Sequence, residues 1–250
     1  MPPLRLLCFP YAGGGAAAYC TWRSRLPSSV QPVPVPLPGR ETRVREAART
    51  RLADLVAQLA DELAPHLHGH FAFFGHSMGA LVAYELSHYL WARRRPLPLR
   101  LFVSGHRSPE LPRPIRDLHP LPDPELIDEL RRLGGTPEPV LQHAELMAMV
   151  LPVLRADLEA CETYVHPAHA RAPLPLPISA FAGADDRRVG PACLVGWQHH
   201  TQADFRLRVL PGGHFFLHTA QAALLDAVAT DLARTAGERG DPAPLSYAVA

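Results

Sequence analysis

The chain of 250 residues contains no lysine. All 25 of its basic side chains are arginine, and 24 acids bring the formal net charge to +1. With no cationic surplus and no basic stripe interleaved with aromatics, nothing favours a nucleic-acid partner. Cysteine is scarce. Cys8, Cys20, Cys161 and Cys193 show no C-x-x-C spacing and read as reduced thiols of a cytoplasmic protein. No apolar run reaches the length of a membrane span, so no membrane association is expected. Met1-Pro2-Pro3-Leu4-Arg5 runs straight into a strand, with no signal peptide expected ahead of it. Phosphate-binding fingerprints are missing too. There is neither G-x-x-x-x-G-K-[ST] nor a G-x-G-x-x-G followed by an acid about 20 residues on.

What is present is a core-forming chain, 47% hydrophobic, of about the size of one large domain. Apolar runs at 4–9, 31–37, 71–74, 99–103, 178–182 and 205–210 read as strands. The 31–37 run is broken by prolines and suits an edge. Helical spacing occupies 52–67, 78–91 and 220–233. Alternating strands and helices predict an α/β fold with a mostly parallel sheet covered on both faces. The alternation breaks from about 107 to 172, where helical patterns at 124–133 and 140–164 stand without a clear strand. This stretch is expected to be a helical lid inserted in a single domain spanning 1–234. Residues 235–250, rich in Gly, Pro and charge, are expected to be a disordered tail.

The most informative stretch is Gly75-His76-Ser77-Met78-Gly79, directly after Phe71-Ala72-Phe73-Phe74. A strand, a tight turn and a helix place the serine outside the sheet. The two glycines are needed because side chains there would strike a neighbouring strand or helix. The helix N-terminus offers free N–H groups to a developing oxyanion, that of Met78 foremost. Ser77 is therefore the candidate nucleophile.

A serine hydroxyl needs a base. His214, in Pro211-Gly212-Gly213-His214-Phe215-Phe216, follows the last strand and is the candidate. An orienting acid is expected after the preceding strand, where Asp185 and Asp186 both stand. The order Ser, Asp, His is the α/β-hydrolase order. The second oxyanion donor is expected from the loop after the first strand, as the backbone N–H of Ala12 or Tyr11. Other histidines carry less. His66, His68 and His70 lack an acid or cysteine in ligand register and suit the negative end of a helix.

With these residues placed, the chain resembles the type II thioesterases, the stand-alone editing enzymes of polyketide and nonribosomal peptide synthase systems. The most discriminating carriers of the resemblance are Pro38-Gly39-Arg40-Glu41, Leu151-Pro152-Val153-Leu154-Arg155-Ala156-Asp157 and Gly213-His214-Phe215-Phe216. The likeness runs over nearly all of 4–233. The family spacing selects Asp186 as the acid, although proline usually follows it and here Arg187 does. The resemblance implies an α/β-hydrolase fold with a helical lid. It also implies hydrolysis of acyl or aminoacyl thioesters on the phosphopantetheine arm of acyl or peptidyl carrier proteins in antibiotic biosynthesis, with no cofactor and no metal. Tyr11, Met147, Leu151 and Phe215 are the expected substrate-binding side chains. A general esterase or acyltransferase on the same fold, or a non-catalytic carrier-binding module, are the alternatives.

Overall fold

The computed structural model describes residues 2–112, 116–167 and 171–238. Six strands form one sheet: β1 (Leu4–Phe9), β2 (Val30–Pro34), β3 (Phe71–His76), β4 (Leu101–Ser104), β5 (Ile178–Gly183) and β6 (Phe205–Leu210), in the order β2-β1-β3-β4-β5-β6. Every pairing is parallel. All C-terminal strand ends therefore lie on one edge. β2, with Pro32 opposite Leu6, is an edge strand, where a missing N–H is tolerated.

Between the strands run α1 (Leu52–Glu62) and α2 (Met78–Ala92). After β4 the chain makes an excursion through α3 (Asp123–Leu133), α4 (Glu138–Leu141) and α5 (Ala144–Glu162). It closes with α6 (Phe216–Thr219) and α7 (Gln221–Glu238). The middle strand shows why the sheet is covered on both faces. Phe71 and Phe73 point into one core with α1 and α2, and Ala72 and Phe74 point into the other with α7. A strand buried on both sides is apolar throughout rather than alternating. α2 is likewise buried almost all round, as befits a helix between the sheet and its neighbours. The excursion has a small core of its own, built on Leu118, Leu121, Leu126, Leu141, Met147, Leu151 and Leu154.

One expectation needs correction. The last helix does not stop at 234 but continues to Glu238, into the stretch expected to be disordered. Thr235 is buried there. Its hydroxyl accepts from Arg100 Nε at 2.9 Å and donates to Asp231 O. That buried polar contact overrides the local composition. Residues 239–250 lie outside the described residues. Among those described, no helix is long and apolar enough to cross a membrane.

Candidate active site

Strand order reverses direction between β1 and β3, and a crevice opens outside the C-terminal strand ends at such a switch point. Ser77 follows β3 there, with φ 53° and ψ −118°, a backbone conformation that few non-glycine residues adopt. Its surroundings hold it. The Ser77 N–H donates to Ser104 O at 2.7 Å. A Cβ on Gly75 would overlap the Gly79 carbonyl, and one on Gly79 would overlap the Phe9 carbonyl. Backbone meets backbone on both sides of the turn, so neither glycine can carry a side chain. Met78 opens α2, and its N–H has no intrahelical acceptor by geometry.

The imidazole of His214 completes the arrangement. Its Nε2 lies 3.2 Å from Ser77 Oγ, and its Nδ1 lies 2.7 Å from Asp186 Oδ2. Of the two adjacent acids only Asp186 turns inward; Asp185 is exposed. The other oxygen of Asp186 accepts the N–H groups of Arg188 and Val189 at 2.9 and 3.0 Å. Burial works against this carboxylate. The hydrogen bond and charge of His214, with those two N–H groups, outweigh it and hold the pKa below the ordinary value. Asp186 is thus an anion fixed to orient the imidazole.

His76 lies beside His214, with ring centroids 5.3 Å apart. Burial first, then the neighbouring histidines, hold it well below the usual imidazole range. A neutral His76 adds no charge against an imidazolium forming on His214. His106 lies on the same edge. Its Nδ1 donates to Arg107 O at 2.7 Å, and burial lowers its pKa to about 4. It offers the cavity a neutral ring.

Ser77 and His214 open on a cavity of about 760 Å³ whose walls are mostly apolar. Tyr11 and Phe215, packed edge to face at 4.9 Å, line it as expected, and so do Ala12 and Met78. Met147 and Leu151 do not. They point into the excursion's own small core, and the cavity face of α5 is instead Val150, Leu154, Leu158 and Cys161. These residues form one apolar stripe on the helix: Met147 and Leu151 on one edge pack within the excursion, the other edge meets the cavity, and Leu154 and Leu158 serve both. His106 was also missed as a wall residue. Its only signal was its place in Ser104-Gly105-His106-Arg107, directly after β4.

A parallel sheet that carries, in chain order, a serine elbow, an aspartate and a histidine on one edge defines the α/β-hydrolase class. Within that class the chain belongs to the Thioesterase domain family, which matches residues 4–234. It is similar to the gramicidin S biosynthesis protein GrsT of Aneurinibacillus migulanus, with 41% identity over 229 residues, 92% of this chain and 89% of that one. Among solved structures it is similar to the thioesterase RedJ from the prodiginine pathway of Streptomyces coelicolor. The TM-score is 0.87 at 44% identity, covering 92% of this chain and 91% of that one. It is also similar to BorB, a type II thioesterase from the borrelidin biosynthetic cluster, with TM-score 0.84 and 36% identity, covering 93% and 95%.

Proposed function

We propose that this chain is a type II thioesterase that hydrolyses acyl or aminoacyl thioesters from the phosphopantetheine arm of acyl or peptidyl carrier proteins, for editing or release. The observation that carries the reading is the Asp186–His214–Ser77 chain opening on an apolar cavity large enough for an acyl group. The likeness to a type II thioesterase and to an antibiotic biosynthesis protein supports the carrier-bound substrate.

The chemistry follows from the geometry. Ser77 Oγ attacks the thioester carbonyl carbon while His214 Nε2 takes its proton. Asp186 stabilises the imidazolium without taking the proton itself. The N–H groups of Met78 and Ala12 receive the oxyanion. Collapse breaks the C–S bond, and the imidazolium protonates the departing thiol. Water then attacks the acyl-serine, with His214 as base again. The carboxylic acid leaves and Ser77 regains its proton. The helices between β4 and β5 form a lid over the acyl group. The reaction takes place in the cytoplasm, where free cysteines such as the four found here stay reduced.

The test presents one acyl group in two ways, on a holo carrier protein and on a small pantetheine thiol. A strong preference for the carrier-bound form is expected. Equal rates, or faster cleavage of oxygen esters, would make the protein a general hydrolase. Ser77→Ala is expected to lower kcat by about 10⁵- to 10⁶-fold. Unchanged turnover in that variant would remove the serine mechanism.

A further inference from the structure

Two of the most discriminating sequence motifs have no part in the mechanism so far, yet the fold brings them together. Arg40 belongs to Pro38-Gly39-Arg40-Glu41 after β2, and Asp157 ends the Leu151–Asp157 motif on α5. Both are buried, at 9% and 2% exposure. They form a two-pronged ion pair: Nη1 to Oδ2 at 2.6 Å and Nη2 to Oδ1 at 2.7 Å. Such a pair is a weak source of net stability, because desolvation consumes most of its attraction. What it touches is more telling.

Asp157 Oδ2 also accepts the N–H of Gly13 at 2.8 Å, and Arg40 Nη1 also donates to Gly14 O at 3.0 Å. The pair thus grips two successive residues of the loop after β1, one by its N–H and one by its carbonyl. Gly13 has φ +72°, and a Cβ on it would lie 3.1 Å from Leu154 Cδ1, so the α5 side chain closes over it. Further along the loop, Glu41 accepts the N–H groups of Ala16 and Ala17 at 2.8 and 3.0 Å. Ala12, the second oxyanion donor, directly precedes this fixed segment. Leu154 also lines the cavity with Val150 and Leu158. The helix that meets the acyl chain therefore also holds the oxyanion loop.

We propose that Arg40 and Asp157 are positioning residues for the oxyanion site, locking Gly13 and Gly14 so that the Ala12 N–H faces the thioester oxygen, and tying that lock to α5. The inference rests on the serine mechanism proposed above. An oxyanion donor moved out of place costs transition-state stabilisation and leaves substrate binding intact.

The test compares Asp157→Ala, Asp157→Asn and Arg40→Lys with the unaltered enzyme. It reads kcat, KM, the affinity of an alkyl trifluoromethyl ketone that forms a tetrahedral oxyanion on Ser77, and the affinity of the product acid. Asp157→Ala is expected to lower kcat by about 30- to 300-fold with KM within about three-fold. Affinity for the ketone falls in step, and affinity for the acid does not change. Asp157→Asn keeps one oxygen for Gly13 and is expected to recover about ten-fold of the loss. Arg40→Lys keeps the charge but loses the fork, with an expected kcat loss of about ten-fold. If Asp157→Ala does not fold, the two milder variants decide. Normal kcat in them, or a loss that falls equally on KM and acid affinity, overturns the proposal. A fully active Ser77→Ala would instead overturn the mechanism beneath it. A dead Ser77→Ala beside normal Asp157→Asn and Arg40→Lys would remove the positioning role alone.

Discussion

Among the described residues stand two chains of hydroxyl, imidazole and carboxylate. One is Ser77–His214–Asp186. The other is Tyr84–His200–Glu110, with Tyr84 OH 2.9 Å from His200 Nδ1 and His200 Nε2 2.6 Å from Glu110 Oε2. In both, the ring nitrogen facing the carboxylate donates to it, and the other nitrogen faces the hydroxyl. Their hydrogen-bond distances are of the same order. They differ in what surrounds the hydroxyl. Ser77 stands on a strained turn at a helix N-terminus, facing a cavity of about 760 Å³. Tyr84 lies within α2, 1% exposed, beside a recess of about 160 Å³. Burial first, then Glu85, pushes its phenol well above the ordinary range, so it keeps its proton. It has no helix N-terminus to receive an oxyanion. A relay of three groups is therefore not yet a catalytic site. Strain, access and oxyanion donors make the difference, and the second relay serves as a polar brace running from buried Tyr84 out to the exposed Glu110.

The sharpest way to break this contrast is to neutralise each carboxylate. Asp186→Asn is expected to lower kcat by about 10⁴-fold, while Glu110→Gln leaves it within about three-fold. Comparable losses in a steady-state assay would mean that the second relay takes part in turnover. Access is tested next. Leu158→Trp narrows the cavity and is expected to reduce kcat/KM for long acyl groups by about ten-fold relative to acetyl, whereas Met147→Leu leaves the acyl profile unchanged. An acyl-length series that responds to Met147 instead would reverse the assignment of the two edges of the α5 stripe. Smaller still is the effect of Tyr84→Phe, which leaves His200 without its donor. About 1–2 kcal/mol of stability and about 3–6 °C in Tm should be lost, with kcat unaffected.

The smallest effect concerns acid. His88 packs on Tyr84, and burial, with Arg171, His200 and His166 adding to it, lowers its pKa to about 3. The unfolded chain takes up this proton from about pH 6.5, but the folded chain does not. The stability tied to His88 is therefore complete above about pH 6.5 and is lost as pH falls from there towards 3. His88→Phe should make the acid limb of a stability profile shallower, since the His88 Nε2 has no partner to lose. An unchanged limb would place the acid sensitivity elsewhere, with His76 the next to test.

The first relay was legible in the sequence and the second was not, and the reason is local geometry. The Gly75-x-Ser77-x-Gly79 spacing encodes a backbone approach that only glycine permits, so five residues specify the turn. His214 was marked by the two glycines before it and by its place after β6. Asp186 needed the family spacing to separate it from Asp185, and the structure turns only Asp186 inward. Tyr84, Glu110 and His200 have no such punctuation. They come from an α-helix, a turn and the end of a 3-10 helix, and they meet only because the sheet is already assembled. The same holds for α5: apolar residues at 147, 150, 151, 154 and 158 form one stripe, and nothing short of the packed structure says which edge of it meets the cavity. Helix α7 outlasted its expected end because Thr235 is bound by an arginine 135 positions away.

The Arg40–Asp157 pair has a consequence for anyone recombining such enzymes. The crossover points that look safest, in the loops after β4 and before β5, would transplant Asp157 and leave Arg40 behind. A graft from a relative with another residue at either position would bury a lone charge under the glycine loop. The unit of exchange is therefore not the inserted helices alone but those helices together with the segment around Arg40, 117 residues upstream.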